Sequence, residues 1–206
     1  MIDLYTFTTP NGFKGLIGLE ELGLEYQVKW IDLTKGAQMT PEYLAINPNN
    51  KIPAIVDHDG PGGAPITIFE SGAILTYLAE KTGRLLAPHG AARYTALEWV
   101  FFNVGGTGPM IGQYGYYTKF AKEKEPAPIE RFGKEVHRLL RVLDGRLEKV
   151  QFLAGDFSIA DIANFTWPHA ARTFIGMDLG GYPHLTRWLD ELAARPAFAR
   201  ALAMKP

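Results

Sequence analysis

Two short stretches carry side chains whose types and spacing could hold a small charged ligand. Glu70 and Ser71 stand between the apolar run Ile66-Thr67-Ile68-Phe69 and the helix-like run Ala73-Ile74-Leu75-Thr76-Tyr77-Leu78. This spacing predicts Ser71 as the cap of a helix over Gly72 to Lys81, its hydroxyl accepting from the first free backbone N–H groups. Those N–H groups, at a helix end carrying roughly half a positive charge, can also hold a carboxylate, while Glu70 can pair with an ammonium. An amino-acid head group has both. Further back, Pro53 lacks an N–H and keeps Ile52 extended, so the backbone polar groups of Ile52 are open to pairing with an extended peptide. The second stretch is Thr8-Thr9-Pro10-Asn11-Gly12, between the first strand-like and first helix-like runs. Reactive groups of a doubly wound sheet are presented at this kind of strand-to-helix loop, and here it offers Thr9 and Asn11. The same two residues would also serve as turn and N-cap residues.

Composition narrows the chemistry. The chain of 206 residues has no cysteine, which excludes disulfides, thiolate metal sites and a protein-borne thiol nucleophile. Any thiol chemistry must use a borrowed thiol. Its five histidines, His58, His89, His137, His169 and His184, show no metal-ligand spacing, and no metal is expected. A net charge of -1 without a long basic run argues against nucleic acid and anionic membranes as partners. No segment approaches the ~20 apolar residues of a membrane span, and Met1-Ile2-Asp3-Leu4 opens a strand pattern without the basic start of a signal peptide. The expected location is the cytoplasm.

The elements that must position these residues follow from periodicity. Ile2 to Phe7 reads as a strand, Phe13 to Leu22 as a helix closed by Gly23, and Tyr26 to Ile31 as a second strand. A short helix near Pro41 to Ile46, a hairpin built on Ala54 to Val56 and Ile66 to Phe69, and the helix after Ser71 complete a β-α-β-(α)-β-β-α order. Residues 84–90 read as a linker, and the rest is helical: 1–83 forms one expected domain and 91–206 an all-helical one. Within the second, Gly105, Gly106, Gly108 and Pro109 are expected to bend or break a helix starting at Ala91. Gly105 to Gly112 does not fit a dinucleotide fingerprint, and predicts close backbone approach at a domain or subunit contact. Ile129 to Val150 is strongly amphipathic, and Ser158 with Asp161 forms a capping-box variant heading an apolar core helix. The run Lys119 to Glu125 reads as a solvated turn.

Taken together, Asn47-Pro48-Asn49-Asn50-Lys51-Ile52-Pro53-Ala54-Ile55-Val56-Asp57 and Phe69-Glu70-Ser71-Gly72-Ala73-Ile74 resemble the glutathione transferase superfamily. Thr9-Pro10-Asn11-Gly12, Val104 to Gln113 and Ile129-Glu130-Arg131 are similar, more specifically, to nu-class bacterial disulfide-bond oxidoreductases, relatives of the yeast prion-forming nitrogen regulator. The resemblance implies a thioredoxin-like domain followed by an all-helical one, a cis Ile52-Pro53 bond and a homodimer. The surplus of aromatic residues at Tyr94, Trp99, Phe101 and Phe102 fits the homodimer. It further implies glutathione as co-substrate, with a small disulfide, peroxide or electrophile as its partner in reaction. Thr9 and Asn11 would face the glutathione sulfur, Gln38 and Lys51 the glycyl end, Ile52 the cysteinyl backbone, and Glu70 with Ser71 the γ-glutamyl end. Arg131 would line the site as a cation. The chain departs from the pattern at Tyr116-Tyr117, where the family often has His-Phe, and at Phe132, where it has Tyr. A non-catalytic binding or assembly module of the same fold is the alternative.

Overall fold

The alternating apolar runs of the N-terminal third form one mixed sheet. Its strands are β1 (Ile2–Thr6), β2 (Tyr26–Trp30), β3 (Ala54–Asp57) and β4 (Ile66–Phe69), in the order β2-β1-β3-β4. β2 runs parallel to β1, as a βαβ crossover through helix α1 (Pro10–Leu22) requires, while β3 and β4 form an antiparallel hairpin on the other side of β1. A short helix α2 (Pro41–Ile46) precedes β3 and α3 (Ser71–Thr82) follows β4. Ile2, Leu4, Ile55, Leu16, Ile17, Leu19, Ile74, Leu75 and Leu78 are buried between sheet and helices. This is the expected thioredoxin-like arrangement.

The computed structural model describes all 206 residues, and they divide into two compact units, Met1–Arg84 with Arg195–Pro206, and Leu85–Ala194. The C-terminal segment is therefore a correction to the expected boundary: it is helical, as α9 (Pro196–Ala203), but it packs on α1 of the first unit. Side-chain pairing explains the docking. Arg195 makes a two-pronged pair with Glu21 at 2.7 and 2.9 Å, and Arg200 reaches Glu20 at 2.6 Å, while Phe198 and Ala201 are buried.

The second unit is all helical, as expected. It contains α4 (Gly90–Phe102), α5 (Gly108–Gly115), α6 (Pro126–Leu147), α7 (Ile159–Ala170) and α8 (Pro183–Ala193). The glycine-rich segment does not break the run of helix. Residues Asn103–Thr107 form a wider π-helical turn that passes α4 directly into α5. The close approach expected at Gly105 to Gly112 lies inside this unit: a Cβ on Gly108 or Gly112 would sit 3.0 or 3.1 Å from the Trp167 indole of α7. α7 is the core helix, buried from Ile159 through Thr166 and headed by the Ser158–Asp161 capping box. Asp161 accepts from Leu153 N–H at 2.9 Å and Trp188 Nε1–H at 3.0 Å as well as from Ser158 N–H. Burial pushes its carboxyl up to about 6, against the pull of these donors.

Candidate functional site

Strand register brings four candidate segments to one edge of the sheet. Tyr5 of β1 pairs with Ala54 of β3, and Ala54 with Phe69 of β4, while Thr6 pairs with Trp30 at the end of β2. The chain therefore leaves β1 towards Thr9 and Asn11 and enters β3 from Ile52-Pro53 at this same edge. It also leaves β4 towards Glu70-Ser71, and β2 towards Gln38, from there.

The first βα loop is shorter than its sequence suggests. α1 starts at Pro10, so Asn11 and Gly12 belong to its first turn rather than to a loop before Phe13. Thr9 is the N-cap, its Oγ1 accepting from Gly12 N–H at 3.1 Å, and Pro10 occupies the position where a missing N–H costs nothing. Gly12 is required here, because a Cβ would fall 2.0 Å from the Phe7 carbonyl oxygen and 2.6 Å from Thr6 Oγ1. Asn11 is half-buried beside them.

Opposite, the Ile52-Pro53 peptide is cis, and its approach is fixed by a doubly held carbonyl: Lys51 C=O accepts from Tyr43 OH at 2.6 Å and from Asn47 Nδ2 at 2.7 Å. Both donors belong to buried residues. Ile52 is buried, while the Lys51 side chain is exposed. Gln38 is half-buried in a 3-10 turn, Ala37–Met39, and its Oε1 is buried without a hydrogen-bond partner.

At the β4–α3 junction one expectation is corrected. Ser71 is the first residue of α3, and Glu70, with φ 73°, holds the cap position without a capping side chain. A left-handed residue reverses the chain here, so the helix begins one residue earlier than a serine cap would allow. Ser71 Oγ instead faces Lys14 Nζ at 3.4 Å. Neither α1 nor α3 has an acidic residue in its first turn, and the Glu70 carboxylate stands at the cap position of α3.

Lys14 is a residue that the sequence reading did not single out. It lies on α1, 1% exposed, and burial lowers its amine to about 7, partly offset by the charge of Glu70. A signal was present, since Lys14 is followed by Gly-Leu-Ile-Gly-Leu, a helix without a polar face on which to put it.

In the helical unit, Arg131 is exposed on α6. The family departures there touch one another: Tyr117 stacks on Phe132 with ring centres 5.7 Å apart, and Tyr116 meets Tyr117 edge-on at 5.2 Å. No group of three or more His, Cys, Asp or Glu side chains could hold a metal ion, and no helix is long and apolar enough to cross a membrane.

A sheet of this order, with a cis-proline ahead of its third strand and followed by a helical unit, defines a glutathione transferase fold. The chain belongs to the glutathione S-transferase family: the family's N-terminal domain model matches residues 9–81 and its C-terminal domain model residues 107–196. It is 48% identical over 204 residues to the disulfide-bond oxidoreductase YfcG of Escherichia coli, covering 98% of this chain and 94% of that protein. It is 39% identical to the disulfide-bond oxidoreductase YghU of the same organism, over 97% of this chain and 73% of that one. Among solved structures, a glutathione transferase family member from Pseudomonas fluorescens with two glutathione molecules bound superposes with a TM-score of 0.93 at 46% identity, over 98% of this chain and 92% of that chain. A glutathione transferase from Pseudomonas putida, with one glutathione disulfide bound per subunit, does so with a TM-score of 0.93 at 43% identity, over 100% and 92%.

Proposed function

We infer that this chain is a glutathione-dependent disulfide-bond oxidoreductase, whose reducing thiol belongs to bound glutathione. One observation carries the reading: a chain with no cysteine brings two helix N-termini and a cis Ile52-Pro53 peptide to one end of its sheet, in a family whose relatives include named disulfide-bond oxidoreductases. In this reading the γ-glutamyl carboxylate lies at the N-terminus of α3 with the Ser71 hydroxyl, and the γ-glutamyl ammonium pairs with Glu70. The cysteinyl backbone pairs with Ile52, and the glycyl carboxylate meets Gln38 and Lys51. The unpartnered Gln38 Oε1 supports this, because rotation of the amide offers an N–H to a carboxylate. Arg131 is proposed as a site-lining cation from its family position alone.

The sulfur then lies towards Thr9, Asn11 and the N-terminus of α1. Lowering a thiol pKa by about two units takes about 2.7 kcal/mol of preference for thiolate. An amide cannot accept the proton at neutral pH, so Asn11 donates to the sulfur and orients it, and the helix end adds its partial charge. The bound thiolate attacks one sulfur of the substrate disulfide, forming a mixed disulfide and releasing the other half as a thiolate that takes a proton from solvent. A second glutathione thiolate attacks the glutathionyl sulfur of the mixed disulfide. Oxidised glutathione and the second reduced thiol result, two electrons having passed from two glutathione molecules to the substrate. The same thiolate would serve peroxide reduction or attack on an electrophile.

Two further parts of the reading are a homodimer and a cytoplasmic location. Tyr94 and Phe101, each 67% exposed and seven residues apart on one face of α4, support the first. A reaction that consumes reduced glutathione supports the second, since the cytosolic pool is kept reducing. The test is turnover of 2-hydroxyethyl disulfide with glutathione, beside conjugation of chlorodinitrobenzene, for wild type and Asn11→Ala. Disulfide turnover that Asn11→Ala lowers and shifts to higher pH is the expected result. Glutathione binding without either turnover would overturn the enzymatic reading in favour of a binding module.

A further inference from the structure

Lys14 is the only lysine or arginine buried in the chain. A desolvated ammonium is costly unless something in its surroundings prefers it charged. Its immediate setting is the underside of the β4–α3 junction: Ser71 Oγ stands 3.4 Å from Nζ, and the charge of Glu70 acts on it. The elements packed on α1 in this unit are β1, α3 and α9. Their charged groups include Asp3 on β1, Glu80 and Lys81 on α3, Arg195 at the N-cap of α9 and Arg200 on it. Asp3 is engaged by Lys29 and His58, Lys81 by Asp57, Arg195 by Glu21 and Arg200 by Glu20. The tyrosines Tyr5 and Tyr77 on β1 and α3 complete the titratable set, Tyr77 donating to Asp57. Glu70, whose charge acts on Lys14, is exposed at the surface.

We propose that Lys14 is a positioning residue that makes ligand binding proton-linked: a carboxylate arriving at the N-terminus of α3 draws a proton from solvent onto the buried Lys14 amine beneath Ser71. The inference rests on the reading that this helix end receives the γ-glutamyl carboxylate. An anion close to a buried amine favours its charged form, and the ammonium in turn holds the Ser71 hydroxyl with its oxygen towards Nζ and its proton towards the ligand. The free amine sits at about 7, so around pH 8 most free protein carries neutral Lys14, while the proposed carboxylate would raise the amine in the complex. Proton uptake appears only between the amine's value in the free protein and its raised value in the complex. Below them Lys14 is charged in both states, and above them in neither. The device selects an anionic end group, since a ligand lacking the carboxylate gives the proton no reason to bind.

The test is calorimetric titration of the full-length protein with S-methylglutathione at pH 8, in buffers of different ionisation enthalpy. This ligand has no thiol, so the proton count excludes thiol ionisation. The expected result is uptake approaching one proton per site, with affinity falling up to about tenfold per pH unit above 7. The S-methyl analogue with 4-aminobutyryl in place of γ-glutamyl keeps the amine and lacks the carboxylate, and should bind without that uptake. Lys14→Met should bind S-methylglutathione at least tenfold more weakly with a flat pH profile, whereas Lys14→Arg, charged at every pH in question, should recover affinity without the pH dependence. The wild-type proton count stands even if neither variant folds. Binding without proton uptake by wild type overturns the inference and leaves the site intact. Failure of S-methylglutathione to bind overturns the site reading and this inference with it.

Discussion

Thr9 caps α1 and, in the proposed reading, also donates to the glutathione sulfur, and its substitutions separate the two roles. Its Oγ1 accepts from Gly12 N–H at 3.1 Å, which caps α1, and because a hydroxyl has one donor and two lone pairs its proton remains available to the sulfur. Loss of an N-cap side chain to alanine costs about 0.5–2 kcal/mol, whereas glycine at the same position costs only about a few tenths. Loss of a hydrogen bond to a charged acceptor costs about 1.5–3 kcal/mol, or about one to two units in the pKa of the bound thiol. Thr9→Ser should therefore leave both stability and the pH profile in place. Thr9→Gly should keep most of the stability while moving the midpoint of turnover up by about one unit or more, and Thr9→Ala should do both kinds of harm. The measurements are urea unfolding, and the pH dependence of disulfide turnover at saturating glutathione. A Thr9→Gly enzyme with the wild-type pH profile would refute the reasoning, leaving Thr9 as a cap and Asn11 with the helix end as the whole of the thiolate's stabilisation.

Gly12→Ala would drive a methyl to within 2.0 Å of the Phe7 carbonyl, so the first turn of α1 must shift and carry Asn11 with it; urea unfolding should show a loss of about 1–3 kcal/mol or more, and turnover should fall with it. Asp161→Ala leaves the buried N–H groups of Leu153, Ser158 and Trp188 without their shared acceptor, and should cost about 3–5 kcal/mol in the same assay. Asp57 ties β3 to α3 by accepting from Tyr77 OH at 2.6 Å and pairing with Lys81 at 2.9 Å; burial raises its carboxyl, but these partners and the Asp59 N–H win and hold it below its ordinary value. A depressed carboxyl stabilises the fold above the unfolded value near 4 and loses that contribution as pH falls through the folded value, so Asp57→Asn should flatten the acid limb of a thermal-melt series below about pH 4.

The sheet and most of its helices were legible because local pattern and tertiary role agree in them. β1 through β4 alternate or run apolar within turn-rich borders, and the Ser158–Asp161 box announces α7 by chemistry that is complete within four residues. The misses share a different cause. Ser71 has the residue type and spacing of a cap, yet Glu70 turns left-handed at φ 73° and moves the helix start, a conformation that side-chain pattern does not encode. The glycines after Phe102 announce a bend or break by propensity, and the chain passes Gly105 and Gly106 in a wider helical turn instead of a loop. α9 was legible as a helix, but its docking on α1 depends on Arg195 and Arg200 meeting Glu21 and Glu20, partners roughly the full chain length away. Of the candidate site, residue type and spacing pointed to the motif residues and not to Lys14, since a single lysine on a helix ordinarily belongs to the solvent face.

That omission bears on how the edge is built. Thr9 and Asn11 head α1, Glu70 and Ser71 head α3, and Lys14 links these two helices at their N-terminal ends through its 3.4 Å approach to Ser71. Two positive helix ends meeting at one edge repel each other weakly, and a buried ammonium adjacent to them increases the repulsion. Burial lowers the Lys14 amine to about 7, so near neutrality part of that charge is already absent in the free protein. In the proposed reading an anionic ligand reverses the balance: its carboxylate offsets both the helix end and the ammonium. On that reading the same positive potential favours thiolate over thiol at the head of α1, so the ligand's carboxyl end and its sulfur draw on a common electrostatic source.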